Sequence, residues 1–167
     1  LVTGPDAGAF LDRVYPNRLS DLKVGRTRYG VLTGDAGRIM DDGVVARVDE
    51  NTFYVSATST GADGVYQWFT WWNTCLCTMR AITGALAAVN VAGPSAREAM
   101  QRVSDDDFSS EGFGYLDAKH VTVAGVPKQL FWIYDWIADA PRAAYDGSSY
   151  SCARCHTTGY EAAALDE

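Results

Sequence analysis

The chain has no run approaching the roughly 20 consecutive apolar residues that a membrane-spanning helix needs. It is poor in positive charge, with 14 Lys and Arg against 21 Asp and Glu and a net charge of −7. That balance argues against non-specific binding to nucleic acid, because a phosphate backbone would be repelled. It lacks a G-x-G-x-x-G following a strand and has no P-loop, so no dinucleotide or nucleotide phosphate site is written in it. Cysteine is scarce, and the four present fall in two clusters, Cys75-x-Cys77 and Cys152-x-x-Cys155. They are too few and too clustered for a disulfide scaffold, and a reducing cytosol fits the first cluster. The first residue is Leu1, with neither an initiator Met nor a secretory apolar region after it. The chain is therefore expected to be a processed protein or an excerpt of a larger one, and Leu1-Val2-Thr3, which reads as a strand cut near its start, favours the excerpt.

What is present is globular: 167 residues, 47% hydrophobic and 21% charged, enough for one domain with a sizeable core. After the short strand, Gly4-Pro5-Asp6-Ala7 opens a helix with Pro in its first turn and an acid at its positive end. Phe10, Leu11 and Val14 give it an apolar face, and Pro16-Asn17 stops it. Thr52 to Thr58 alternates as a strand with Phe53, Val55 and Ala57 on one side. Gly61 to Asn73 reads as a helix, with Trp68, Trp71 and Trp72 at helical spacing and Val65 a turn earlier. That stripe suits core or interface packing, with ligand stacking as the alternative. Ala85 to Val91 reads as a buried strand.

A repeat follows. Val2 to Val14 and Val91 to Val103 agree at Val, Gly, Pro, Ala, Arg and Val, which suggests a duplicated strand, Gly-Pro turn and helix within one fold. Ser104 to Gly114 is a polar surface loop whose Asp105-Asp106-Asp107 could instead bind a metal. His120 to Ala124 and Val126 to Tyr134 read as a hairpin turning at Gly125, with His120 a structural residue at a strand start.

The chain is organised around Arg26 to Val48, two strands about a Gly34-Asp35-Ala36-Gly37 turn. The second strand carries Asp41-Asp42 between Ile39-Met40 and Gly43-Val44-Val45. Strands disfavour Asp, and an ionised carboxylate is buried only when paired or hydrogen-bonded. Successive strand residues face opposite ways, so the two acids cannot share a site. One is expected to face solvent or cap a turn, and the other to face a cavity. A solvated strand-end bulge is the plain alternative.

This stretch resembles the folate-binding core of the glycine cleavage T-protein family. Arg28-Tyr29-Gly30 and Asp41-Asp42-Gly43-Val44-Val45-Ala46-Arg47 are similar to its branch in the α subunit of sarcosine oxidase and in dimethylglycine oxidase. The Gly-Pro repeat and Val123-Ala124-Gly125-Val126-Pro127 extend the resemblance to about Gln129. It implies an enzyme performing tetrahydrofolate-dependent one-carbon transfer in the cytoplasm, on a small methylated glycine-type amine, beside a flavin-containing partner subunit or domain. Such transfer begins with a cationic iminium carbon and an amine nucleophile. A carboxylate near the pterin nitrogens can stabilise positive charge, orient the folate and relay a proton. By resemblance that residue is Asp42, with Tyr29 and Val44 lining the pterin pocket and Asn17 at the family's helix end. Ala46 stands where the family often has Tyr. After Gln129 the chain reads F-W-I-Y-D-W-I-A-D-A-P and lacks the family's Gly-Glu folate clamp; Asp135 and Asp139 are nearby carboxylates with no spacing to recommend them.

The tail holds Cys152-Ala153-Arg154-Cys155-His156, which fits the c-type haem motif: two thiols reach two vinyl groups and the histidine ligates iron. This opens an alternative, an electron-transfer protein with haem c on Cys152, Cys155 and His156. Zinc shared by Cys75, Cys77, Cys152 and Cys155 is a further one, and free thiols the simplest. The expected fold is α+β, a mixed, mostly antiparallel sheet with packed helices and the duplicated unit. Residues 1–134 form the T-protein-like folate-binding domain and 135–167 a diverged tail. A folate-fold relic acting only as a binding or assembly module is the remaining alternative.

Overall fold

The computed structural model of the chain describes residues 1–86 and 88–131, the last six as backbone. Cys152, Cys155, His156, Asp135 and Asp139 lie outside the described residues, as does the whole of the expected tail.

Five strands build the main sheet in the order β2-β3-β4-β1-β5. They are β1 (Val2–Thr3), β2 (Arg26–Thr33), β3 (Ile39–Asp49), β4 (Thr52–Val55) and β5 (Thr78–Met79). Every pairing in it is antiparallel, so the sheet is not mixed among the described residues. The strands are joined by tight turns or return after a helix against an antiparallel neighbour, which leaves no parallel crossover. Helix α1 (Ala7–Val14) and helix α2 (Ala62–Trp72) pack on one face of it. Phe10, Leu11 and Val14 of α1 meet Leu32, Val45 and Phe53 of the sheet and Val65 and Phe69 of α2. The Phe10 and Phe69 rings stand edge to face at 5.5 Å, a favoured geometry for aromatic pairs.

Helix α3 (Ala96–Gln101) leads into the hairpin of β6 (Ala118–Val123) and β7 (Val126–Phe131). Ala124 and Gly125 both have positive φ, 50° and 76°, as a two-residue turn matched to strand twist requires. A second small core of Phe108, Phe113 and Val121 sits under this hairpin. Thr27 donates its N–H to the carbonyl of Leu116 at 2.8 Å, and Arg26 is ion-paired to Asp117. These contacts tie the hairpin region to β2. Among the described residues no helix is long and apolar enough to cross a membrane.

Three expectations are corrected. The described residues of Ala85 to Val91 form no strand: Thr83–Ala85 is a 3-10 turn, and Leu86, Val89 and Val91 are exposed. A continuous apolar run does not distinguish strand from coil without a neighbouring edge, and the outermost strand, β5, is only two residues long. The duplicated unit is reduced to its turn and helix. Gly4 and Gly93 both have positive φ, 141° and 121°, and each accepts the N–H of the helix's first residue, at 3.0 and 3.1 Å. Among the described residues, no strand runs directly into Gly93. The tryptophan stripe joins the core only in part: Val65 and Phe69 are buried, Trp68 is half-buried against them, and Trp71 is 81% exposed. The i, i+4 pair nearest the sheet wins the burial, and it lies on the opposite side of the helix from Trp71.

Candidate functional site

The pleat of β2 and β3 sorts the candidate residues. Tyr29 pairs with Val44, Val31 with Asp42, Gly30 with Gly43 and Leu32 with Asp41. Paired residues share a face. Leu32, Asp41 and Val45 therefore point to the helices, and Tyr29, Asp42 and Val44 point to the other side.

Asp41 is the buried acid, 6% exposed. Its carboxylate accepts the backbone N–H of Asp42 at 2.8 Å and that of Thr58 at 3.2 Å. These bonds supply what an ionised group needs in an apolar surround. Gly61 makes room for it: a Cβ there would stand 2.5 Å from Asp41 Oδ2. Asp41 thus fastens β3 to the loop that begins α2. Tyr15, at the end of α1, is buried against the same place, its ring lying over Gly30, where a Cβ would come within 3.1 Å. Burial, and after it the negative charge of Asp41, raises the Tyr15 hydroxyl well above its usual pKa.

Asp42 is half-buried on the outer face, and Tyr29 donates its hydroxyl to Asp42 Oδ2. Tyr29 is 39% exposed, so this pair offers an aromatic ring and a carboxylate side by side. Val44, half-buried between them and β4, is held by Ser56, whose Oγ accepts the Val44 N–H at 2.7 Å. Ala46 and Thr27, further along the same face, are buried beneath the Leu116 region. Asn17 reaches the same strands from the loop after α1. Its Oδ1 accepts the N–H of Val31 at 3.0 Å, and Val31 is the pairing partner of Asp42. All four candidate residues are therefore gathered at the β2–β3 pair, Asn17 through a backbone bond.

Two cavities among the described residues lie elsewhere. One of about 280 Å³ is lined by Val2, Tyr54, Ser56, Phe69, Met79 and Arg80 among others. The second lies between α3 and the β6–β7 turn, against Arg102, Asp106 and Thr122. Asp106 there accepts the Thr122 N–H at 2.7 Å, and Asp107 accepts that of Ser109 at 2.8 Å. Those two acids serve loop backbone, and among the described residues no group of three or more potential metal ligands assembles.

Sequence reasoning did not pick out Tyr15, Ser56 or Thr58. Tyr15 carried a signal, an aromatic just ahead of the helix-ending proline. Ser56 acts through its Oγ and Thr58 through its backbone N–H, and no spacing rule singles out either.

Comparison with known proteins adds a family. The family model described as the GCVT N-terminal domain matches residues 1–133. The sarcosine oxidase α subunit of Rhizobium meliloti is 37% identical over 129 residues, 74% of this chain and 13% of that one. A sesamin methylene transferase of a Sinomonas strain is 31% identical, over 77% of this chain and 27% of its own length. An aminomethyltransferase of Listeria monocytogenes is 26% identical, over 75% and 34%. Among solved structures, aminomethyltransferase T of the glycine cleavage system from Bartonella henselae is 28% identical with a TM-score of 0.45, over 46% of this chain and 22% of that one. The chain thus spans between 13% and 34% of the length of these curated relatives.

Proposed function

Because the chain belongs to the GCVT N-terminal domain family, the family of the T-protein, we propose that it is the folate-facing part of an enzyme that passes a one-carbon unit to tetrahydrofolate. The polypeptide in view is of the sarcosine oxidase α kind, working in the cytoplasm on a small methylated amine beside a flavin-bearing subunit or domain. The observation that carries the reading is the contact of the Tyr29 hydroxyl with Asp42 on the outer face of the central strand pair.

A reduced pterin presents a flat ring with several N–H donors. A carboxylate, an adjoining aromatic ring and a branched apolar side chain suit such a ring, and Asp42, Tyr29 and Val44 are that set. Asp42 would accept from the ring N–H groups and hold the folate in register. Tyr29 would orient that carboxylate and wall the ring, and Val44 would exclude water from its edge. Asn17 would act at one remove, by fixing the backbone of Val31 opposite Asp42. The folate supplies the amine nitrogen that takes up the one-carbon unit. Beside that nitrogen, Asp42 would hold or move a proton and offset positive charge.

Formaldehyde trapping by folate tests the assignment. Asp42→Ala is expected to abolish one-carbon capture while the domain stays folded; unchanged trapping in that variant would refute it. A second reading is a family member that only binds or assembles. It is favoured by the absence of Tyr29 and Asp42 from the linings of the two cavities described above. Tetrahydrofolate titration separates the two.

A further inference from the structure

We infer that Cys75 and Cys77 form a thiol-modification site, a dithiol that peroxide-class oxidants close into a disulfide. The inference is independent of the folate reading.

The two residues sit where α2 returns to β5, and both belong to or border the main core. The N–H of Cys77 donates to the carbonyl of Cys75 at 2.8 Å, a three-residue turn centred on Leu76. Such a turn folds the ends of a C-x-C segment together, and a disulfide needs Cα atoms only about 4.4–6.8 Å apart. The turn is held from outside. Asp6 Oδ2 accepts the Leu76 N–H at 2.9 Å, and Gly4 lies so close that a Cβ on it would stand 2.4 Å from the Leu76 carbonyl oxygen. Asn73 Oδ1 accepts from both members, from the Cys75 N–H at 3.2 Å and the Cys77 thiol at 3.3 Å. These contacts fix the backbone of the turn before any oxidation.

The two sulfurs are not equivalent. Cys75 is half-buried, and Arg13 Nη1 lies 3.5 Å from its Sγ. That guanidinium also donates to Thr74 Oγ1 at 2.8 Å, which fixes it beside the sulfur. A fixed cation there accompanies the sulfur that carries negative charge when it attacks. Cys77 is buried, 7% exposed. Burial, then the neighbouring Cys75 and Asp6, raises its pKa and keeps it a thiol at neutral pH. Cys75 is thus the attacking sulfur and Cys77 the resolving one.

The chemistry balances in two steps. The Cys75 thiolate attacks one peroxide oxygen and the O–O bond breaks. The other oxygen leaves as water or alcohol after taking a proton. Sulfur is oxidised to sulfenic acid and the peroxide is reduced. The Cys77 sulfur then attacks that of Cys75, its thiol proton leaves with the sulfenic hydroxyl as water, and the S–S bond forms.

Peptide mapping tests this on the full chain. Trypsin releases residues 48–80, which hold both cysteines apart from Cys152 and Cys155. After mild hydrogen peroxide treatment, that peptide is expected to lose two hydrogens, reversibly with dithiothreitol. Cys77→Ser should stop at a sulfenic acid on Cys75 that dimedone traps, and Cys75→Ser should leave Cys77 unmodified. Arg13→Ala should slow the first step several-fold. The proposal is overturned if Cys75 is cross-linked to Cys152 or Cys155 instead, if the peptide stays reduced until the chain unfolds, or if Cys77 reacts as fast in Cys75→Ser as in the unaltered chain.

Discussion

The carboxylate of Asp41 accepts the backbone N–H of the very next residue, Asp42, at 2.8 Å. Two adjacent acids thereby take opposite parts. The first is buried and holds the scaffold, and the second is turned to the outer face with Tyr29 on it. Substitution should separate them. Asp41→Ala leaves the N–H groups of Asp42 and Thr58 without their acceptor, and an unsatisfied buried donor costs about 1–3 kcal/mol. Chemical denaturation should register a loss of that order for Asp41→Ala and little change for Asp42→Ala. Equal losses in the two variants would contradict the division of labour.

Gly61 is the close-approach position beneath this arrangement. A Cβ would stand 2.5 Å from Asp41 Oδ2 and 2.6 Å from Thr58 Oγ1. Gly61→Ala should therefore destabilise by about 1–3 kcal/mol, as overpacking does. Gly64, one turn on with nothing within 4 Å of its Cβ position, is the control. Gly64→Ala in the helix should be neutral or stabilising by up to about 1 kcal/mol. Thermal melts of the two variants give the comparison.

The aromatic residues of α2 divide the same way. Phe69→Ala should cost about 3–5 kcal/mol, as for a buried aromatic. Trp71→Ser, at a side chain 81% exposed, should change stability by no more than about 0.5 kcal/mol. A large loss from Trp71→Ser would restore the tryptophan stripe to the core.

Alkaline pH should weaken the fold. Burial, reinforced by Asp41, raises Tyr15, and burial, with Cys75 and Asp6, raises Cys77. A folded-state pKa above the unfolded one leaves the contribution intact below the unfolded value and removes it as pH climbs toward the folded one. The unfolded values are about 8.5 for Cys and 10 for Tyr, so the stability loss should begin near the first and steepen past the second. Denaturant midpoints between neutral pH and strong alkali measure it, and Tyr15→Phe should flatten the upper limb.

The sequence made the central hairpin legible because its Gly-rich turn and period-2 strands agree. It also placed Asp41 and Asp42 on opposite faces, since a strand permits nothing else. Which acid goes inside depended on Thr58 and Gly61, 17 and 20 positions beyond Asp41, and on how α2 enters. The helix over 61–73 was legible, but its buried face was not. Six large apolar or aromatic residues, Val65, Tyr66, Trp68, Phe69, Trp71 and Trp72, offer several stripes, and only the sheet selects one. Ala85 to Val91 misled because apolar content alone does not provide a strand with a neighbour.

The most direct measurement is calorimetric titration of tetrahydrofolate into the chain and into its Asp42→Ala variant. Saturable binding by the chain, weakened at least about tenfold by the substitution, a loss of about 1.4 kcal/mol, is the predicted result. No heat at millimolar folate, or equal affinity in the two proteins, would contradict a folate site built on Asp42.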